Sequence, residues 1–171
     1  MEFIIQKANK SQYDIIVDLI RNTCNTIEPK EWFAADADEY THRMLTEGKA
    51  TGYMAIESES QNLAAIFMTL APGKSPENLG YDIGLSDDKI PYVAHMESVV
   101  VHPDYRGHKL QRRLMEAAEK DLKAAGYRYL LATIHPENPY SMNNALSLGY
   151  QVMRVCEKYG GYLRAVLMKK I

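Results

Sequence analysis

"MESVVVHPDYRGHKLQRRLMEAAEKDLKAAGY", residues 96–127, holds a strand end, a loop and a helix in one run. Val99, Val100 and Val101 close a β-branched segment that reads as a strand over 92–101. Leu110, Leu114, Ala118, Leu122 and Ala125 then recur at helical spacing, so 109–125 is predicted as a helix with one buried stripe. Arg106, His108, Lys109, Arg112 and Arg113 crowd the start of that helix. The first amides of a helix lack acceptors and its N-terminus carries positive partial charge, so cations belong at the other end. The pattern makes sense with an anion among them. Exposed amides, the dipole, and Arg and Lys side chains together hold a diphosphate, and Gly107 lets backbone come close to it. A solvated basic turn is the plainer alternative, and nucleic-acid phosphate a third.

Outward from this stretch, the chain alternates strands and helices. "FIIQKA" (3–8) reads as a strand, and 12–24 as a helix capped by Ser11 with Asp14 as a weak capping box. A second helix is expected from Pro29 to Gly48. "GYMAIES" (52–58) and "NLAAIFMTL" (62–70) form a hairpin. Residues 71–91 read as a long loop of the kind that serves as a lid or binding loop. "YRYLLATI" (127–134) is a buried strand, 140–148 a short helix ending at Gly149, and the remainder a hairpin around Gly160-Gly161. One α+β domain over 1–171 follows, a mixed sheet with helices on both faces.

A net charge of -2 argues against wholesale nucleic-acid binding, which needs a basic surface. Cys24 and Cys156 make neither a metal-ligand pair nor a disulfide framework, so no metal site is expected and a reduced, cytoplasmic setting is. No basic-then-apolar leader opens the sequence, and no run approaches the ~20 apolar residues of a membrane span.

The same 96–127 stretch resembles the cofactor-binding region of the GNAT family, the GCN5-related N-acetyltransferases. In that family a strand leads through a loop, Arg/Gln-x-x-Gly-x-Gly/Ala, into a long helix, and the loop cradles the pyrophosphate of acetyl-coenzyme A. Arg106 matches the first position; Lys109 stands at the first Gly and Gln111 at the Gly/Ala. "HPENPYSMNNALSLGY" (135–150) resembles the next family segment, with Asn138 and Gly149-Tyr150 in place. The element order agrees from residue 3 to 169.

The resemblance implies a central, mostly antiparallel sheet of six or seven strands. It implies transfer of an acetyl group from acetyl-CoA to a primary amine, by direct attack in a ternary complex. Cofactor contacts would come from the backbone of Val99, Val100 and Val101, from Arg106, Gly107, His108, Lys109, Leu110, Gln111 and Arg112, and from Asn138 and Ser141. Glu97 and His95 are the candidate bases. Strand alternation puts His95, Glu97, Val99 and Val101 on one face. Many relatives carry an acid Tyr where this chain has Ala145, which leaves Tyr140 as the substitute acid.

That replacement also supports the competing reading, a non-catalytic acyl-CoA sensor on the same fold. Acidic residues in 28–39 and 71–91 suit a cationic acceptor, with Trp32, Phe33, Tyr81 and Tyr92 as candidate walls. A small-molecule amine and a protein or peptide amine both fit. A homodimer is left open, and neither nucleic acid nor membrane is expected as a partner.

Overall fold

The computed structural model describes residues 1–171 and opens on strand β1 (Phe3–Lys7). Helix α1 (Tyr13–Thr26) and helix α2 (Asp38–Thr46) follow, then strands β2 (Ala50–Glu57) and β3 (Leu63–Leu70). After the short helix α3 (Leu79–Asp82) come β4 (Val93–Val101), the long α4 (Leu110–Ala124), β5 (Tyr129–Ile134) and α5 (Pro139–Ser147). Strands β6 (Gln151–Lys158) and β7 (Tyr162–Lys170) end the chain. The seven strands form one sheet in the order β1-β2-β3-β4-β5-β7-β6, antiparallel except where β4 meets β5. The α+β reading, with its mostly antiparallel sheet, holds.

Helix α4 lies on one face. Its stripe Leu110, Leu114, Ala118 and Leu122 is buried against Ala65, Phe67, Ala94, Met96 and Leu130 of the sheet. Phe67 is essentially inaccessible, and such burial is worth roughly 1.5–3 kcal/mol for a side chain of this size. On the other face, Ile16 and Ile20 of α1 and Met44 and Leu45 of α2 cover Met54, Ile66 and Met68. Beyond them α3 plants Leu79 on Val93, Leu131 and Val166.

Three local expectations change. Asn9, not Ser11, caps the first helical turn: its side chain accepts from the Ser11 amide while the Gln12 side chain closes the box on the Asn9 amide. The second helix starts at Asp38 rather than Pro29, because after a single 3-10 turn at Lys30–Trp32 the chain is non-helical over 33–37, with Phe33 and Ala37 extended. Residues 71–91 are not structureless, since α3 and a 3-10 turn at Ile90–Tyr92 seat them on the sheet.

The fourth change matters most. Phe67 pairs with Val99, but Thr69 pairs with Met96, so Met68 alone faces both Glu97 and Ser98. This is a β-bulge, and it inverts the alternation of β4 beyond it. Val93, His95 and Glu97 face α3, whereas Val99 and Val101 pack with the α4 cluster. The expected common face of His95, Glu97, Val99 and Val101 is therefore broken in the middle.

Gly80 explains how α3 sits so close to the sheet. A Cβ there would lie 2.8 Å from Ile90 Cδ1, 3.0 Å from Asn78 Oδ1 and 3.2 Å from Val93 Cγ2. Gly80→Ala is expected to cost about 1–3 kcal/mol in urea unfolding, the usual penalty for overpacking. A loss below about 0.5 kcal/mol would mean that the seat is loose.

Candidate active site

Strands β4 and β5 pair only through Val93–Tyr129, Ala94–Leu130 and His95–Leu131. Past His95 the ladder stops and the sheet opens. The His102 amide donates to the Ala64 carbonyl at 2.9 Å, and bonded residues alternate along an antiparallel ladder. Val100 is thus spent on β3, while the backbone groups of Val99 and Val101 face the gap. Beyond the strand the chain passes a 3-10 turn at Pro103–Tyr105 and enters α4. The first intrahelical bond there runs from the Arg113 amide to the Lys109 carbonyl, 3.0 Å, leaving the amides of Leu110, Gln111 and Arg112 without helical acceptors.

The cations at this end divide into two groups. Arg112 is bonded to Glu116 at 2.9 Å. Arg113 donates to the Phe3 carbonyl at 3.0 Å and lies over the Phe3 ring, and His108 packs on that same ring. Arg106 and Lys109 are exposed and make no side-chain hydrogen bond or ion pair. Lys109 adopts φ 57° and ψ 27°, the left-handed conformation that a β-carbon disfavours by roughly 1–2 kcal/mol. The family pattern has Gly at this position; the backbone has kept its shape and the side chain has added a charge. Gly107 also takes positive φ, with open space where a Cβ would stand. Asn138 is buried and caps α5 by accepting from the Ser141 amide at 3.2 Å, which leaves its own N–H groups unspent. These groups suit a diphosphate and an extended, amide-bearing arm, and so fit coenzyme A.

Across the opening stands an acidic cluster. The Leu79 amide donates to His95 Nε2 at 3.0 Å, so the ring proton sits on Nδ1, 3.1 Å from Glu97 Oε1. His95 is buried and both its nitrogens are occupied; Glu97 stays about a quarter exposed, at 27%. The sequence offered both as bases, and the structure makes them a pair with unequal access. Asp36 joins them. Its carboxyl is held above its usual range, first by desolvation, then by Glu97 and Glu77, with His95 opposing. Desolvation and the same three carboxylates raise the Tyr40 phenol.

Tyr159 closes the site from the β6–β7 turn, its hydroxyl 3.1 Å from Thr133 Oγ1. Desolvation pushes its phenol up to about 12; the Thr133 bond and Arg164 pull it down, and Glu97 and Asp36 add to the rise. Tyr140 is 78% exposed, with its ring 6.5 Å from that of Trp32, so this pair stands at the rim. Ala145 is buried against α4 and offers no place for a phenol in the opening.

Of the expected walls only Trp32 is here. Phe33 packs with the α1–α2 core, Tyr92 stacks on Arg128, and Tyr81 is exposed on α3. Asp36 and Glu77 lay within segments noted as acidic, but sequence reasoning missed Tyr159, Thr133 and Arg164. The one signal for Arg164 was a cation inside the apolar run "YLRAVLM", residues 162–168.

The family model for the acetyltransferase (GNAT) family matches residues 9–150. The chain belongs to the GNAT family. Among solved structures, the GNAT phosphinothricin acetyltransferase of Sinorhizobium meliloti, in complex with acetyl-CoA, aligns over 100% of this chain and 89% of its own, at 14% identity and TM-score 0.73. The yncA protein of Salmonella typhimurium, solved with acetyl-CoA, aligns over 98% and 93%, at 18% identity and TM-score 0.70. A GCN5-related N-acetyltransferase from Kribbella flavida aligns over 99% and 98%, at 16% identity and TM-score 0.74. At such identities the likeness is one of fold. No curated protein sequence matches the chain. No group of His, Cys, Asp or Glu with metal-binding geometry is present, and no helix is long and apolar enough to cross a membrane.

Two outcomes follow from this GNAT geometry. Lys109→Gly is expected to raise stability by roughly 0.5–1 kcal/mol as the left-handed strain goes, partly offset by backbone entropy, while coenzyme A affinity falls. Unchanged melting would place the strain elsewhere. For Asp36, a folded-state pKa above the unfolded one means stability present below the ordinary carboxylate range and lost as pH rises through the raised value. Asp36→Asn therefore matches the parent protein in acid and melts higher at neutral pH. A lower melting temperature at neutral pH contradicts this.

Proposed function

We propose that this GNAT protein is an acetyl-CoA-dependent N-acetyltransferase acting on a primary amine by direct attack within a ternary complex. The observation that carries the reading is the position of Glu97. It sits on the bulge where β4 leaves β5, partly open to solvent, with the His95 ring proton fixing its carboxylate. Bound acetyl-CoA would supply an activated acetyl thioester. Arg106, Lys109 and the amides of Leu110, Gln111 and Arg112 would hold its phosphates, and the backbone of Val99 and Val101 together with Asn138 its arm. Helix-start amides are natural phosphate donors.

An amine is mostly protonated at neutral pH and has no free lone pair until it loses a proton. Asp36, Glu77 and Glu97 draw the ammonium in, and Glu97 accepts its proton, directly or through one water. His95 cannot take that proton while the Leu79 amide occupies Nε2; its part is to orient Glu97. Tyr159, its phenol pushed up to about 12 and so protonated across the neutral range, gives a proton to the departing sulfur in place of the exposed Tyr140. As the C–S bond breaks and the amide forms, the attacking nitrogen gives up a second proton, which replaces the one Tyr159 passes to sulfur; the ammonium proton stays on Glu97.

The test is thiol release in the presence of acetyl-CoA and an amine panel across pH. Glu97→Gln is expected to cut kcat at least about a hundredfold, as loss of a general base does, and to flatten the rise toward alkaline pH. An unchanged profile rejects the role. The sensor reading predicts a different result: melting rises with acetyl-CoA, by about 2.7 kcal/mol of stability at 100 times its Kd, with no turnover on any amine.

A further inference from the structure

Arg164 is the one buried cation in the protein without a counterion. It lies on β7 opposite Cys156, on the face that also carries Val166 and Thr133, and its relative exposure is 2%. Nη1 donates to the adjacent Leu163 carbonyl at 2.8 Å. Nη2 is fully buried and has no hydrogen-bond partner. The rings of Tyr162 and Tyr159 flank the guanidinium, with centroids 5.4 Å and 5.9 Å away, and stacking of this kind leaves in-plane N–H groups unanswered. Glu31 is near enough to be felt but forms no ion pair with it.

A buried charge without a partner is costly, and a planar fork of donors is shaped for a carboxylate. Tyr159 links this fork to the acidic cluster, since it touches Arg164 on one side and senses Glu97 and Asp36 on the other. With Tyr159 between them, the acidic cluster and the unpaired Nη2 suit an acceptor that carries both an ammonium and a carboxylate.

We propose that Arg164 is the anchor for a carboxylate on the acceptor, which makes the acceptor class a free amino acid or close analogue rather than a simple amine or a polypeptide N-terminus. The inference rests on the acetyltransferase reading and deepens it. The ammonium lies among Asp36, Glu77 and Glu97, and the carboxylate takes the N–H groups of Nη2. Entry displaces the half-exposed Tyr159 ring, which returns over the seated acceptor to serve as the acid. A protein N-terminal amine carries no α-carboxylate and would leave the guanidinium unpaired.

The experiment compares each of the twenty common L-amino acids with the amine obtained by removing its α-carboxyl, using thiol release from acetyl-CoA. For the best pair, kcat/KM is expected to favour the amino acid by at least about thirtyfold, the usual consequence of deleting one partner of a buried charge pair. In Arg164→Met that ratio collapses toward one, and Arg164→Lys, which keeps the charge without the fork, falls between. Folding of both variants is checked by melting; Arg164→Met is expected to melt no lower than the parent, since it removes an unpaired buried charge.

Equal rates on amino acid and amine, or a ratio that survives Arg164→Met, overturn the anchor and leave the acetyltransferase reading intact. If no compound of either kind releases thiol, calorimetry with the same amino acids on the coenzyme A-loaded protein decides. Binding abolished by Arg164→Met keeps the anchor while the enzyme reading falls; no binding sinks the anchor as well.

Discussion

One extra residue in β4 sets the layout of this protein. Opposite Met68 the strand fits both Glu97 and Ser98, and just before that point, after His95, it parts from β5. A strand in the middle of a sheet normally spends its backbone on both neighbours. Here the register with β3 continues while the β5 side opens, so Val99 and Val101 keep donors and acceptors that no strand uses. The bulge turns the side chains as well. Val99 and Val101 go to the α4 core, and Glu97 stays on the α3 face beside His95. One backbone irregularity thus supplies a slot for an extended ligand and a carboxylate at its mouth.

The rest of the fold serves to hold that opening. Helix α4 buries a continuous stripe under β3, β4 and β5, which fixes where its bare N-terminal amides point. Helix α3 is only four residues long, yet Gly80 lets it settle on the sheet so that the Leu79 amide reaches His95. The chain before α2 and the β6–β7 turn bring Asp36 and Tyr159 from the two sides. The two charged halves are separated by construction: Arg106 and Lys109 beyond the end of β4, carboxylates at the bulge. Such a separation suits a polyanionic donor and a cationic acceptor, the pair the proposed function requires.

Much of this was legible in the sequence. The apolar spacing of 110–125 marked the helix, the cations before it marked its basic start, and the resemblance over 94–150 pointed to the family and the fold. Glu97 and His95 were legible as a carboxylate and an imidazole two residues apart on a strand. Their unequal roles were not, because the Leu79 amide that occupies His95 comes from 16 residues upstream. The bulge was invisible because alternation assumes an unbroken ladder, and only the partner strand reveals the extra residue. Arg112 and Arg113 looked free because their partners, Glu116 and the Phe3 carbonyl, are chosen by packing. Tyr159 and Arg164 were missed for the same reason. A hairpin at the far end of the sequence folds back against β5, and no local pattern announces that neighbourhood.

The proposed function puts coenzyme A in the gap between β4 and β5, continued by the start of α4. Residue-resolved hydrogen exchange with and without coenzyme A tests it most directly. Slowed exchange is expected at the amides of Val99, Val101, Leu110, Gln111 and Arg112, with Val100 unchanged because β3 already protects it. Protection confined to other elements, with these five amides unaffected, would contradict it.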